Sequence, residues 1–402
     1  GQLNTTAVDI NITADGTGAP VDLAGGADLN GRDMTLIVGG DVTIGAAVSD
    51  GGTVRIQGTT NATTIALGSV GGSVVDLTET TLQQIDGTVN TIAIGTAGTQ
   101  IGLVTINDGG AAQVLTLNTA LIIDADGTAG GNGSVSIGSD ITVAGEFVIN
   151  GSRATTTFDG GGSDGTITID SGGNDITIND TMAFANDDDN VAFISGGGNV
   201  SLLGSIDGVA GAGEENITIS PGDGNVVLGR SGLQDDFGTV QRLGRIEINA
   251  GNGDTTVNAD VTSRSFVRND STGTLTFNRP LNFDLNGNAL DINNVRNVVF
   301  VNAATVTTSN TGIVTIDGDT AGTLTIGTGA FDIDEQFRES DFTKVTLGAN
   351  ITTTNDDISF RDAVDLTQNV TLDGGEVRFA GAVKAEASTT PVDLVLTVDD
   401  GV

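Results

Sequence analysis

Apolar residues recur along the chain in spaced pairs, and the pattern is strictest between Ile351 and Val383. Four pairs stand there: Ile358/Phe360, Val364/Leu366, Val370/Leu372 and Val377/Phe379. One residue separates the members of each pair, so both side chains point to the same side of a strand. The pairs begin at 358, 364, 370 and 377, so three steps of 6, 6 and 7 complete a circuit. A short strand and a two- or three-residue turn, three times per circuit, predict one coil of a parallel β-helix.

The same pairs mark the earlier chain. Leu36/Val38 and Val42/Ile44 follow at a step of 6, as do Val135/Ile137, Ile141/Val143 and Phe147/Ile149. Between 61 and 146 the spacing loosens, through Ile65/Leu67, Val75/Leu77 and Ile92/Ile94. Asp15-Gly16, Asn30-Gly31 and Asp50-Gly51 supply turns that tolerate positive φ. Such dipeptides also signal hairpins, which would make a sandwich. Strand cores only two positions long are too short for a free-standing meander but stack well coil on coil. The expectation is therefore an all-β chain, a β-solenoid of roughly 19–22 residues per coil forming a single elongated rod. About 18–21 coils at about 4.8 Å each would make it on the order of 90–100 Å long.

No break divides the 402 residues, so 1–402 is read as one continuous β-helix. Its opening at Gly1, without Met, and the run of strand pattern up to Val402 suggest a segment of a longer repetitive protein. Four polar interruptions, 186–190, 208–216, 229–245 and 331–344, are expected to protrude as loops, the last as a loop or short helical turn.

Composition narrows the chemistry. There are 52 acidic and 15 basic residues, for a net charge of −37. A surface this acidic repels nucleic acid and anionic membranes. No apolar run approaches the roughly 18–20 residues of a membrane span. The chain has no Cys, which excludes a disulfide framework and thiolate metal sites.

It also has no His, and only two lysines, Lys344 and Lys384. Catalysis on a β-helix would need clustered carboxylates in a groove, acting on a polysaccharide. The groups available are Asp187, Asp188 and Asp189, or Asp356 and Asp357 near Arg361. Neighbouring aspartates on a strand face opposite sides, and in a loop they are usually solvated, so no catalytic residue is assigned. The same five aspartates are the candidates for Ca²⁺ at acidic turns. A dedicated calcium array is not expected: Gly160-Gly161-Gly162-Ser163-Asp164 and Gly172-Gly173-Asn174-Asp175 both miss the nonapeptide pattern. No other cofactor is implied.

The runs DISFRDAVDLTQNVTLDGGEVRFAGAV (357–383), ITIDSGGNDITIND (167–180) and GTLTIGTGAFDI (322–333) resemble the filamentous-haemagglutinin-like repeats of very large bacterial surface proteins. This is a style of repeat and carries no site residue across. The resemblance implies a right-handed parallel β-helix, secretion, and a role as an adhesin stalk or fibre at the cell surface. The expected function is a non-catalytic, extracellular structural or adhesive protein that meets a host or neighbour-cell surface or a glycan. The alternative is a filament or sheath subunit that binds copies of itself through its end coils. A polysaccharide-acting enzyme is the second alternative.

Overall fold

A computed structural model describes residues 2–5, 8–68, 73–85, 87–96, 102–106, 114–125, 133–151, 155–160, 165–209, 215–233, 235–249, 251–354, 356–386 and 391–398. The chain is all-β, with 57% of residues in strands and about 15 turns of β-solenoid. It divides into two compact units, residues 1–204 and 205–402.

In the first unit like stacks on like. One inward column runs Ile10, Met34, Val54, Ile92, Leu121, Phe147, Ile176, Val200, each paired in parallel with the next. Parallel pairing satisfies the peptide groups of each strand with those of the neighbouring coils. Alternation then sends Val, Ile and Leu inward, and each fully buried side chain contributes roughly 1.5–3 kcal/mol. Coil length varies, because pairing fixes the strands and leaves the corners free. The coil from Ile92 to Leu121 is longer than the next, from Leu121 to Phe147, and the coil from Val54 to Ile92 is longer still. That longest coil holds a short helix, Glu79–Gln83, which the strand pattern did not announce. Thr78 caps it by accepting the Thr81 N–H, and Thr81 and Leu82 are the residues it buries.

The second unit has its own column: Val226, Thr255, Leu275, Val298, Leu324, Val345, Val364, Val383. Only its last two steps, Val345 to Val364 and Val364 to Val383, match the spacing of Ile358 and Val377. The step from Val298 to Leu324 is longer. The expected coil length therefore holds for the best-patterned segment, and longer coils elsewhere make the turns fewer than the expected 18–21.

Strand length also departs from the two-position pattern. Asp260–Phe277, Gly287–Phe300 and Gly312–Ile326 are 18, 14 and 15 residues long. Each bends round a corner at a residue of positive φ: Asp270 at 21°, Asn294 at 53° and Thr320 at 67°. Inside this unit phenylalanines touch in series. Phe277 lies 5.3 Å from Phe266 and 4.9 Å from Phe300, and Phe300 lies 5.0 Å from Phe331, measured between ring centres.

The segment 331–344 is a correction to the expected loop or helical turn. It forms the strands Phe331–Ile333 and Phe337–Ser340 and leads into Lys344–Leu347. Phe331, Phe337 and Phe342 are all buried. Most of its charges sit on outward positions, and the inward positions carry the rings. The segment 229–245 is likewise partly built in, through Asp236–Phe237 and the start of Leu243–Ile248. Leu233 and Val240 remain exposed at its surface. Residues 186–189 form a turn that leads into the strand Asn190–Ile194, while 210–214 of the 208–216 segment lie outside the described residues.

Candidate functional site at a polar corner

The bends at Asp270, Asn294 and Thr320 belong to one corner of the second unit. On its outer side is a cleft of ≈ 380 Å³, lined by residues of successive coils that include Asp223, Asn252, Asp270, Thr272, Asn294 and Asp319. Side chains tie each coil to the next. The Asn252 amide donates to Asp223 at 2.6 Å, and the Thr272 hydroxyl donates to Asn252 at 2.9 Å. The Asn294 amide donates to Asp270 at 2.8 Å, and Arg296 Nε donates to Asp319 at 2.9 Å. Burial works to raise the Asp319 carboxyl. The Ala321 N–H and the Arg296 guanidinium outweigh it and hold the group below the ordinary value.

On the inner side of the corner stands Arg268, only 1% exposed. Its guanidinium donates to the carbonyls of Asn249, Asn269 (2.8 Å) and Gly251 (3.2 Å). Burial pulls its pKa down to about 10, and the nearby Asp270 partly offsets this. The corner turns peptide carbonyls toward the interior, where water is excluded, and an arginine fork can satisfy several at once.

Three coils further on, Glu339 holds the equivalent inward position and is also 1% exposed. Its Oε2 accepts the N–H groups of Arg361 (3.1 Å) and Asp362 (3.4 Å). Burial, and then the adjacent Asp362 carboxylate, push its pKa up to about 8.

The aspartates singled out from the sequence lie elsewhere. Asp187, Asp188 and Asp189 share a turn in the first unit, where they are respectively exposed, half-buried and buried. Asp189 closes that turn by accepting the N–H groups of Asn186 (3.0 Å) and Gly160 (3.2 Å). Its pKa is raised, chiefly by burial. Asp356 and Asp357 are in the second unit and half-buried. Asp357 lies 3.9 Å from Arg378, while the Arg361 N–H donates to Glu339. Among the described residues no group of three or more acidic side chains is arranged to hold a metal ion.

The arginines around 229–245 find partners one by one. Arg230 pairs with Asp235 at 3.0 Å, Arg242 with Asp284, and Arg245 with Glu247 at 3.2 Å. No helix among the described residues is long and apolar enough to cross a membrane.

Arg268 and Glu339 were not picked out by sequence reasoning. The available signal was a charged residue at an inward, alternating position: Arg268 after Phe266, and Glu339 after Phe337.

Comparison of the chain with models of protein families, with curated proteins and with solved structures gives no match.

Proposed function

We propose that this chain is a non-catalytic, extracellular structural protein, a β-solenoid stalk or fibre of an adhesive cell surface. The observation that carries the reading is how the polar groups of the corner are used. Asp223, Asn252 and Thr272, and likewise Asp270 and Asn294, bond from coil to coil, which locks the stack and leaves an acidic, hydrogen-bonding outer face. Such rungs suit a rigid spacer. The outer cleft offers carboxylates and amides to the hydroxyl groups of a surface glycan. The extracellular location rests on the resemblance of the repeats.

A second reading is a subunit that stacks through its end coils, since the outermost strand of a coil stack carries unpaired N–H and C=O groups.

Negative-stain images of the purified chain, with binding to immobilised neutral polysaccharides and to whole cells, test both readings. Single rods that bind one of these surfaces, less well after Asp270→Ala with Asp319→Ala, fit the adhesive stalk. Long fibres fit the stacking subunit. Compact particles that cleave a polysaccharide would overturn both.

A further inference from the structure

We propose that a buried, protonated Glu339, seated beside Asp362, latches one corner of the second unit and lets it go in alkaline solution. The latch works in both directions between two coils. Glu339, on the strand Phe337–Ser340, accepts the N–H groups of Arg361 and Asp362 on the next coil. The Asp362 carboxylate accepts the N–H of Phe342 on the first, at 2.7 Å. The two carboxyls lie side by side, and their contact raises Glu339. Glu339 is walled by the inward column of Ile316 and Phe360. Its Oε1 is buried without a hydrogen-bond partner.

A further negative charge in this low-dielectric wall, beside the Asp362 carboxyl, is disfavoured, so the buried Glu339 keeps its proton. Other charges face the corner from both coils. Asp317 accepts the Ser340 hydroxyl at 2.6 Å and lies beside Asp341, with the Arg361 guanidinium near it. Asp341 itself is held at a φ of 62°. Carboxylates outnumber this guanidinium, which adds to the penalty on a second negative charge. When Glu339 gives its proton to solvent, two anions meet in the wall. Their repulsion parts the two coils at 342 and 361–362.

The sign follows from linkage. Glu339 has an ordinary pKa of 4.5 and a folded value of about 8. Between those values the folded chain keeps a proton that the unfolded chain has lost. The contribution of Glu339 to stability is therefore fully present below 4.5 and is lost as the pH rises through about 8.

The chain has nine glutamates, so a carboxyl titration by NMR with ¹³C-labelled glutamate is practical. In the unaltered protein one glutamate is expected to titrate between about pH 7 and 9, and that signal disappears in Glu339→Gln. Asp362→Asn removes the neighbouring charge and moves the titration to lower pH. Amide exchange at Phe342, Arg361 and Asp362 accelerates as Glu339 ionises, beyond the intrinsic dependence on pH. If all nine glutamates titrate below pH 6, the proposal is overturned. It is also overturned if the late signal persists in Glu339→Gln, or if exchange at those three amides does not follow it.

Discussion

Arg268 and Glu339 stand in one inward column of the second unit, with Ile292 and Ile316 between them. Elsewhere this column is apolar, running from Ile248 below Arg268 to Phe360 and Phe379 above Glu339. The two charged members solve opposite halves of one problem. A strand that bends round a corner breaks its ladder and leaves peptide groups facing the interior. Arg268 satisfies carbonyls, and Glu339 satisfies amides.

Replacing Arg268 tests this reading. Arg268→Met keeps the length and apolar stem but leaves the carbonyls of Asn249, Asn269 and Gly251 without their donor. Buried acceptors left unpaired cost about 1–3 kcal/mol each, and part of this returns as the buried charge is removed. Urea unfolding of the second unit should show a net loss of roughly 2–4 kcal/mol. Arg268→Lys should recover only a fraction, since an ammonium cannot span three carbonyls as the guanidinium fork does. Equal stability of the Met variant would mean that the corner carbonyls need no partner.

The solenoid was legible in the chain because its cause is local. Val345/Leu347, Val364/Leu366 and Val377/Phe379 alternate with polar residues, and each pair became a rung of the stack. Coil length was legible only where corners are short, as from Val345 to Val364. Corner length is set by which loops the stacked strands tolerate, and periodicity does not record it. The candidate corner was hidden for a related reason. Arg268 and Glu339 are far apart in sequence and share a column only once the coils between them are counted. The acidic runs 187–189 and 356–357 drew attention as dense charge, yet density along the chain does not bring carboxylates together in space. Glu339 and Asp362, separated along the chain by a whole coil, do meet.

The phenylalanine series should be the costliest apolar feature to interrupt. Phe277 is fully buried and touches Phe266 edge-on and Phe300 face-on. Phe277→Ala loses the transfer energy of the ring, leaves a cavity and breaks two aromatic contacts, for a total of about 3–5 kcal/mol. Phe379 stacks on Phe360 at 5.4 Å but is half-buried, so Phe379→Ala should cost less than half as much. Denaturant titrations of the two variants give the comparison directly, and equal losses would contradict it.

Coil stacking at the bend depends on Gly322. A Cβ at that position would sit 1.4 Å from the carbonyl oxygen of Arg296 on the neighbouring coil, and backbone cannot yield as a side chain can. Gly322→Ala should therefore cost more than about 3 kcal/mol, as an overpacked site with no room to relax. Gly287 provides the contrast. Its φ is 106°, yet a Cβ there meets nothing within 4 Å. Gly287→Ala should cost only the backbone term, on the order of 1–3 kcal/mol. Thermal melts that rank Gly287→Ala as the worse variant would show that steric approach is not what fixes the bend.

Acid and alkali should act on the second unit through different carboxyls. The Asp365 carboxylate accepts from Lys344 at 2.8 Å and faces Lys384 at 3.5 Å. The Lys344 hydrogen bond, against the opposing effect of burial, holds the Asp365 carboxyl below its ordinary 3.8. A depressed folded pKa stabilises above the unfolded value, and the contribution is lost as pH falls through the folded one. Asp365→Asn should therefore melt slightly below the unaltered protein at pH 7, a small effect because both lysines are exposed to solvent. The gap should close as the pH drops below 3.8. Glu339→Gln should show the reverse, with a gain over the unaltered protein that widens from pH 4.5 toward 8. Melting curves of the three proteins across this range separate the two groups. Parallel curves for Asp365→Asn and the unaltered protein down to acid pH would show that Lys344 contributes nothing to the fold.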